Sequence, residues 1–223
     1  MRTLCALLIL TASLAAQPTS GRVRVVHASP DAPAVDVLVD GVMILESLPF
    51  REYSEYLALP AGTHEIRVNV TGTGTTVLQA APNVEAGKDY TAIAVGFAGG
   101  RSPGLDLLLL EDDNVLPADG SVKLRVVHGA ASAPAVDVYV TTPFESLTNK
   151  SALLSSVPFK LASGYASVPV SLYQARVAVA GTKTIAIDSH RLVTWNRMIR
   201  TVIAVDAKGG GGPFDFIILP DAN

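Results

Sequence analysis

The sequence predicts an all-β protein made of two tandem antiparallel β-sandwich domains of immunoglobulin-like type. Apolar residues recur with a period of two, and 18 glycines and 14 prolines supply turns throughout the 223 residues. The chain also contains the same pattern twice. A unit of about one hundred residues that contains only strands is typical of such a sandwich.

The strand predictions follow from local patterns. Arg22-Val23-Arg24-Val25 and residues 65–70 alternate between polar and apolar side chains, which predicts strands with one solvent-exposed face. Residues 34–39 and 107–110 are more continuously apolar and predict strands that are buried on both sides. Asp40-Gly41 predicts a two-residue hairpin turn, because both positions tolerate a positive φ. No long helix is expected. The predicted strands of the first copy are 22–28, 34–40, 42–46, 53–59, 63–70, 75–80, 90–97 and 105–111.

The internal repeat divides the chain. VRVVHASPDAPAVDVLV at 23–39 returns as LRVVHGAASAPAVDVYV at 124–140, and LDLLLLEDDN at 105–114 returns as FDFIILPDAN at 214–223. The offset between copies grows from 101 to 109, which predicts an eight-residue insertion in the second copy. We therefore predict domains at 22–114 and 122–223, a linker at 115–121 and an insertion near 141–156.

The repeated segment also resembles a known family. Residues 24–37, RVVHASPDAPAVDV, resemble the opening motif of the bacterial domain-of-unknown-function family numbered 4397, and 59–64, LPAGTH, resemble its mid-domain turn. The resemblance covers both copies and implies a tandem pair of these domains on an exported bacterial β-sandwich protein. It implies no activity, substrate or catalytic residue. The second copy departs from the motif at 129–132, where it lacks the pair Pro30-Asp31.

The N-terminus predicts export. Met1-Arg2 precedes an apolar run of about eleven residues from Leu4 to Leu14, which is too short for the roughly 20 residues of a membrane span. Residues 1–16 therefore form a predicted signal peptide, and we expect a secreted, periplasmic or cell-surface protein. The only cysteine, Cys5, lies inside this leader, so no disulfides are expected. No later segment is apolar enough to predict a membrane span.

Composition and motifs argue against several functions. A formal net charge of -3 supplies no basic field for nucleic acid, and 49% hydrophobic residues exclude a disordered chain. Residues 100–104, GRSPG, match the nucleophile motif of hydrolases only in letters. Pro103 has no N–H for an oxyanion hole, and a predicted strand follows where that motif requires a helix. We predict that the protein is not an enzyme.

Three polar pairs occur in both copies, namely His27 and His128, Asp36 and Asp137, and Asp106 and Asp215. We interpret them as structural residues that satisfy hydrogen bonds at strand ends. The alternative is a repeated acid–base or metal site, which would make the protein a secreted hydrolase.

No cofactor is expected, although calcium is possible at Glu111, Asp112 and Asp113 beside the linker, since calcium prefers oxygen ligands. Solvated linker charge is the alternative.

Loops are the remaining candidates for binding. Phe144 and Leu147 in the insertion could form an exposed contact surface, or could fold back onto their own domain. Arg101 lies in the glycine-rich loop 96–104. Trp195, Tyr53, Tyr56 and Tyr165 could stack on a sugar, although equivalent positions favour a core role for Tyr56 and Tyr165.

The function predicted from the sequence is an exported, non-enzymatic surface or envelope module that is either structural or binds an envelope polymer or protein. A passive spacer is a further alternative.

Overall fold

The computed structural model describes residues 18–222. The predicted signal peptide 1–16, with Cys5, lies outside the described residues. Residues 18–222 form strands, turns and loops without a helix, and thus no helix in this range is long and apolar enough to cross a membrane.

The first half of the described chain contains ten strands. They are β1 (Ser20–His27), β2 (Val35–Val39), β3 (Val42–Leu48), β4 (Leu57–Pro60), β5 (Gly62–Thr63), β6 (Ile66–Val70), β7 (Thr76–Ala80), β8 (Asn83–Val84), β9 (Asp89–Val95) and β10 (Asp106–Asp112).

The second half contains nine strands. They are β11 (Ser121–His128), β12 (Val136–Thr141), β13 (Leu154–Val157), β14 (Ala166–Pro169), β15 (Leu172–Val179), β16 (Ile185–Asp188), β17 (Leu192–Val193), β18 (Ile199–Val205) and β19 (Asp215–Ala222).

Each half contains an inner sheet and an outer sheet. The inner sheets have the orders β10-β9-β1-β4 and β14-β11-β18-β19, and the outer sheets have the orders β3-β2-β6-β7 and β13-β12-β15-β16. In the first half, Val25 of the inner sheet and Val37 and Val68 of the outer sheet belong to one buried core. The two sheets of a half therefore pack face to face.

The prediction of entirely antiparallel sheets is wrong at one position in each half. β1 pairs in parallel with β9, and β11 pairs in parallel with β18. A hairpin turn imposes antiparallel pairing on neighbouring strands, but strands this far apart in the chain are not so constrained. The direction of this pair is therefore not visible in local patterns.

The structure confirms the turn at Asp40-Gly41. Both residues have positive φ, 50° and 81°, and β2 pairs antiparallel with β3 on either side of them. The strand predicted at 53–59 is shorter. Within this segment, continuous pairing with β1 begins only at Leu57, the first residue of β4. Tyr53 makes an isolated bridge to Val26.

The two halves pack through the outward faces of their inner sheets. Val26 and Ile93 of the first half share a fully buried apolar cluster with Val127, Ile203 and Leu219 of the second half. Alternate residues of β1 thus serve different cores: Val25 faces its own outer sheet and Val26 faces the other half.

Buried ion pairs flank this cluster and cross between the halves in both directions. Arg24 of β1 pairs with Asp221 of β19, and Arg125 of β11 pairs with Asp112 of β10. All four side chains are almost completely buried. Because each half supplies one arginine and one aspartate, the contact is reciprocal.

Candidate binding pocket in the second half

An apolar cavity of about 460 Å³ lies between the inner and outer sheets of the second half. Leu124, Val126 and Val202 line it from the inner sheet, and Val138 and Ala175 line it from the outer sheet. Pockets for small molecules usually measure about 300–1,000 Å³ and are mostly apolar. The cavity therefore has the size and chemistry of a ligand site.

Large apolar side chains surround the opening. Leu153, Val193 and Trp195 line the cavity, and they are 54%, 69% and 51% exposed. Trp195 is the only tryptophan in the chain. Single exposed apolar residues need no explanation, but a group of them beside a cavity is a candidate contact site.

Small side chains line two walls of the cavity at positions where the first half has large ones. Val39 pairs with Ile66 in the first half, and the matching pair in the second half is Val140 with Ala175. Ile66 is buried in the core of the first half, whereas Ala175 lines the cavity.

A second replacement of the same kind lies across the sandwich. Leu57 pairs with Val23 in the first half, and Ala166 pairs with Leu124 in the second. Ala166 also lines the cavity. Together the two alanines remove six carbon atoms from the space between the sheets. Larger side chains elsewhere in the lining offset this loss: Phe216 stands at the position of Leu107, Val202 at that of Ala92, and Leu124 at that of Val23.

A third replacement puts an arginine, Arg200, at the position of a buried tyrosine, Tyr90. Tyr90 pairs with Val23 and is buried in the first half, and the equivalent partner of Leu124 is Arg200. The Arg200 guanidinium carbon lies 4.8 Å from the centre of the Trp195 ring. Arg200 also donates to its neighbour's carbonyl, Ile199 O, at 2.7 Å. Burial lowers the pKa of Arg200.

The serine and threonine hydroxyl groups of the lining are bonded within the protein. Ser163 Oγ donates to Gly164 O at 2.8 Å and accepts from Val126 N at 2.9 Å. Thr194 Oγ1 donates to Ser171 O at 2.7 Å and accepts from Ser171 N at 2.9 Å.

The two tyrosines of the lining are also bonded within the protein. Tyr173 donates to Pro169 O at 2.8 Å. Tyr165 donates to Asp221 Oδ2 at 2.9 Å, and burial raises its pKa far above the ordinary value. The four hydroxyl groups of the lining therefore all donate within the protein.

The duplicated histidines lie elsewhere and are buried. Nε2 of His27 lies 3.0 Å from Pro33 O, and Nε2 of His128 lies 3.0 Å from Pro134 O. Burial lowers the pKa of both rings. Neither histidine lines the cavity.

The duplicated aspartates Asp36 and Asp137 each close two loops. Asp36 accepts from Ser47 N and Thr71 Oγ1, both at 2.8 Å. Asp137 accepts from Ser156 N at 2.8 Å and from Gly181 N at 2.9 Å. Within residues 18–222, no hydrogen bond joins either aspartate to its duplicated histidine.

Asp106 and Asp215 lie at the contact between the halves. Asp106 pairs with Lys160, and Asp215 pairs with Arg51 at 3.1 Å. These pairs connect each half to the other and are more exposed than the Arg24–Asp221 pair.

The candidate calcium ligands each have a cationic partner. Glu111 pairs with Lys88, Asp112 with Arg125, and Asp113 with Lys123. No group of three or more His, Cys, Asp and Glu side chains in the described range is arranged to hold a metal ion.

The structure separates the candidate binding residues. Phe144 is 75% exposed, whereas Leu147 is buried against Tyr139 and Ala178. Arg101 is exposed and donates to Gly209 O at 2.7 Å, so that it joins the glycine-rich loops of the two halves. None of the three lines the cavity, but Leu153, from the same insertion as Phe144, does.

The cavity was not among the sites predicted from the sequence, although the repeated segments contain a signal for it. At the offset of 109, Ala166 stands opposite Leu57 and Ala175 stands opposite Ile66. Small residues at these two positions of only one copy mark where the cavity lies.

Comparison with protein families agrees with the repeated motif. Residues 21–139 match the family described as "Domain of unknown function (DUF4397)". The chain belongs to this family. The match includes all of the first half together with β11 and most of β12. No curated protein matches the sequence.

Several solved structures are distantly similar. A family 26 carbohydrate-binding module from Eubacterium rectale Amy13K, solved with maltoheptaose, is 9% identical with a TM-score of 0.28, over 91% of this chain and 98% of that one. A structure described as α-glucan binding by a streptococcal virulence factor is 10% identical with a TM-score of 0.26, over 82% and 92%. The Bacillus anthracis TIE protein is 12% identical with a TM-score of 0.27. That match covers 85% of this chain, which spans 34% of the TIE protein.

Proposed function

We propose that this protein is an exported, non-enzymatic binding protein that takes its ligand into the cavity between the sheets of the second half. The cavity carries the proposal. Densely packed protein interiors contain few voids larger than a water molecule. An empty apolar void of this size lowers stability, so its presence favours a ligand that fills it. In the first half, which has the same strand order, the cavity lined by Val25, Val37 and Val68 measures only about 10 Å³.

The first half then acts as a scaffold. We infer that the halves are tandem copies of one immunoglobulin-like sandwich domain, which is supported by their matching strand orders and registers. The reciprocal contact holds the second copy while its own core stays open. The predicted leader supports export. The duplicated polar residues have separate hydrogen-bonding roles, which supports a non-enzymatic function. The natural ligand would then belong to the cell envelope or its surroundings.

An uncharged apolar fluorophore tests this function. N-phenyl-1-naphthylamine should gain fluorescence with the protein lacking residues 1–16, and excitation of Trp195 should transfer energy to it because Trp195 borders the cavity. The variant Ala166→Leu/Ala175→Ile, which introduces the residues of the first half, should lose at least tenfold in affinity. Ala58→Leu, an exposed alanine on β4, should bind like the wild type.

The filled variant should also be at least as stable as the wild type, because it removes a void. Absence of probe binding by the folded wild type, or unchanged binding by the folded double variant, would contradict the proposed site.

A further inference from the structure

The chemistry of the lining restricts what can enter the cavity. Ser163, Thr194, Tyr165 and Tyr173 all use their hydroxyl groups within the protein. A sugar ring carries several hydroxyl groups, and burying a hydroxyl without a hydrogen-bond partner is costly. The walls therefore disfavour a carbohydrate inside the cavity, despite the tryptophan at the rim.

Size further defines the ligand. The cavity, at about 460 Å³, is roughly three times the 150 Å³ cavity that accepts one benzene. It has room for a hydrocarbon of roughly 12 to 18 carbon atoms. The rim is amphipathic, since Arg200 lies over Trp195 while Val193 and Leu153 are apolar and exposed.

We propose that the part of the ligand inside the cavity is a linear alkyl or acyl chain, with its polar end at the Trp195 rim. This inference rests on the proposed function and adds the ligand class to it. An apolar chain loses no hydrogen bonds on entry, while its head group stays in water. The ligand is thus a fatty acid or alcohol, or one acyl chain of a membrane lipid.

A chain-length series tests this inference. Straight-chain alcohols and carboxylic acids of roughly 8 to 18 carbon atoms would compete with N-phenyl-1-naphthylamine, with Trp195 emission as an independent readout. Each added CH₂ should tighten binding about fourfold until the cavity is full. Alcohols and acids of equal length should differ by less than one CH₂ step, because the head stays in water. Ala166→Leu/Ala175→Ile should end the dependence at a shorter chain, and Ala58→Leu should leave it unchanged.

A vesicle-binding experiment identifies the source of the alkyl chain. Co-sedimentation with phosphatidylglycerol vesicles, lost in Ala166→Leu/Ala175→Ile, would identify a membrane lipid as the source. Binding of free chains without vesicle binding would identify a soluble amphiphile. Both outcomes support an alkyl chain.

Failure of this inference differs from failure of the proposed function. Affinity that does not depend on chain length, or a Trp195 response to maltoheptaose without any response to the alcohols, would overturn the alkyl chain while probe binding preserves the binding function. A folded protein that binds neither probe nor chain would overturn both.

Discussion

At the residue scale, the buried arginine–aspartate pairs carry the contact between the halves. Arg24 donates to Thr91 Oγ1 at 2.8 Å and pairs with Asp221. Its guanidinium carbon lies 4.8 Å from the centre of the Tyr56 ring. Asp221 also accepts from Thr201 at 2.6 Å. A buried ion needs such a complete set of partners, because its desolvation is expensive.

Removing one charge of a buried pair should be costly. Asp112→Asn should lower the free energy of unfolding by about 3–5 kcal/mol, because Arg125 is left buried without a carboxylate. Asp221→Asn should cost less, because Arg24 Nη2 also lies 3.9 Å from Asp112 Oδ2. Asp106→Asn is the matched control, since its pair with Lys160 also crosses between the halves but is partly exposed. That variant should lose about 1 kcal/mol or less. Equal losses in urea unfolding for all three variants would contradict the role of burial.

His64 gives the first half a pH-dependent contact. Its Nδ1 lies 2.6 Å from Asp40 Oδ2 and its Nε2 lies 2.8 Å from Pro60 O, so both nitrogens act as donors when the ring is protonated. The hydrogen bond to Asp40 raises the pKa of His64, and the same bond lowers the pKa of Asp40. The ion pair therefore stabilises the hairpin turn at β2–β3.

The sign of the pH dependence follows from these shifts. Because the folded pKa of His64 lies above 6.5, its contribution is complete below pH 6.5 and disappears as the pH rises through the folded pKa. His64→Gln should therefore be less stable than the wild type at pH 6 and approach it in stability at high pH, in urea unfolding. His27 and His128, whose pKa values are lowered, are present in both proteins and cancel in the difference. A constant difference across pH would contradict the assignment.

At the scale of the strands, local patterns explain the hairpins but not the long-range pairing. Asp40-Gly41 favours a tight turn by its own backbone preferences, and the structure has that turn. The partner of β1, by contrast, is β9, which follows it by more than sixty residues. No turn chemistry selects this pairing, so burial of both faces of β1 must do so.

The insertion shows the same division. A change of offset between 140 and 157 predicts extra residues there, and the structure has a loop between β12 and β13. Which side chains of that loop are buried depends on the surface beneath it. Tyr139 and Ala178 cover Leu147, while Leu153 reaches the rim of the cavity.

At the scale of the whole molecule, the halves share one core and should unfold together. Ile93 of the first half is completely buried in the cluster between the halves, and Trp195 reports only on the second half. Ile93→Ala should lower stability by about 2–5 kcal/mol. The midpoint measured by Trp195 fluorescence should shift as far as the midpoint measured by circular dichroism, because the two halves form one cooperative unit.

An exposed site provides the control for that experiment. Val42 is 66% exposed on the edge strand β3, so Val42→Ala should change neither midpoint appreciably. A Trp195 transition that stays in place while the circular dichroism transition shifts or splits would show that the halves unfold independently.

The sequence by itself determined the all-β class, the family and the hairpin turn, because period-two patterns, turn residues and repeated motifs are local properties. Only the tertiary structure decided the parallel strand pairs, the reciprocal contact between the halves and the cavity. An unfilled core depends on the summed volume of side chains from both sheets, such as Ala166 and Ala175, which lie far from many of their neighbours in the chain. Likewise, the alternating pattern predicts that Arg24 lies on the solvent-exposed face of a strand. Packing against the second half makes it a buried charge.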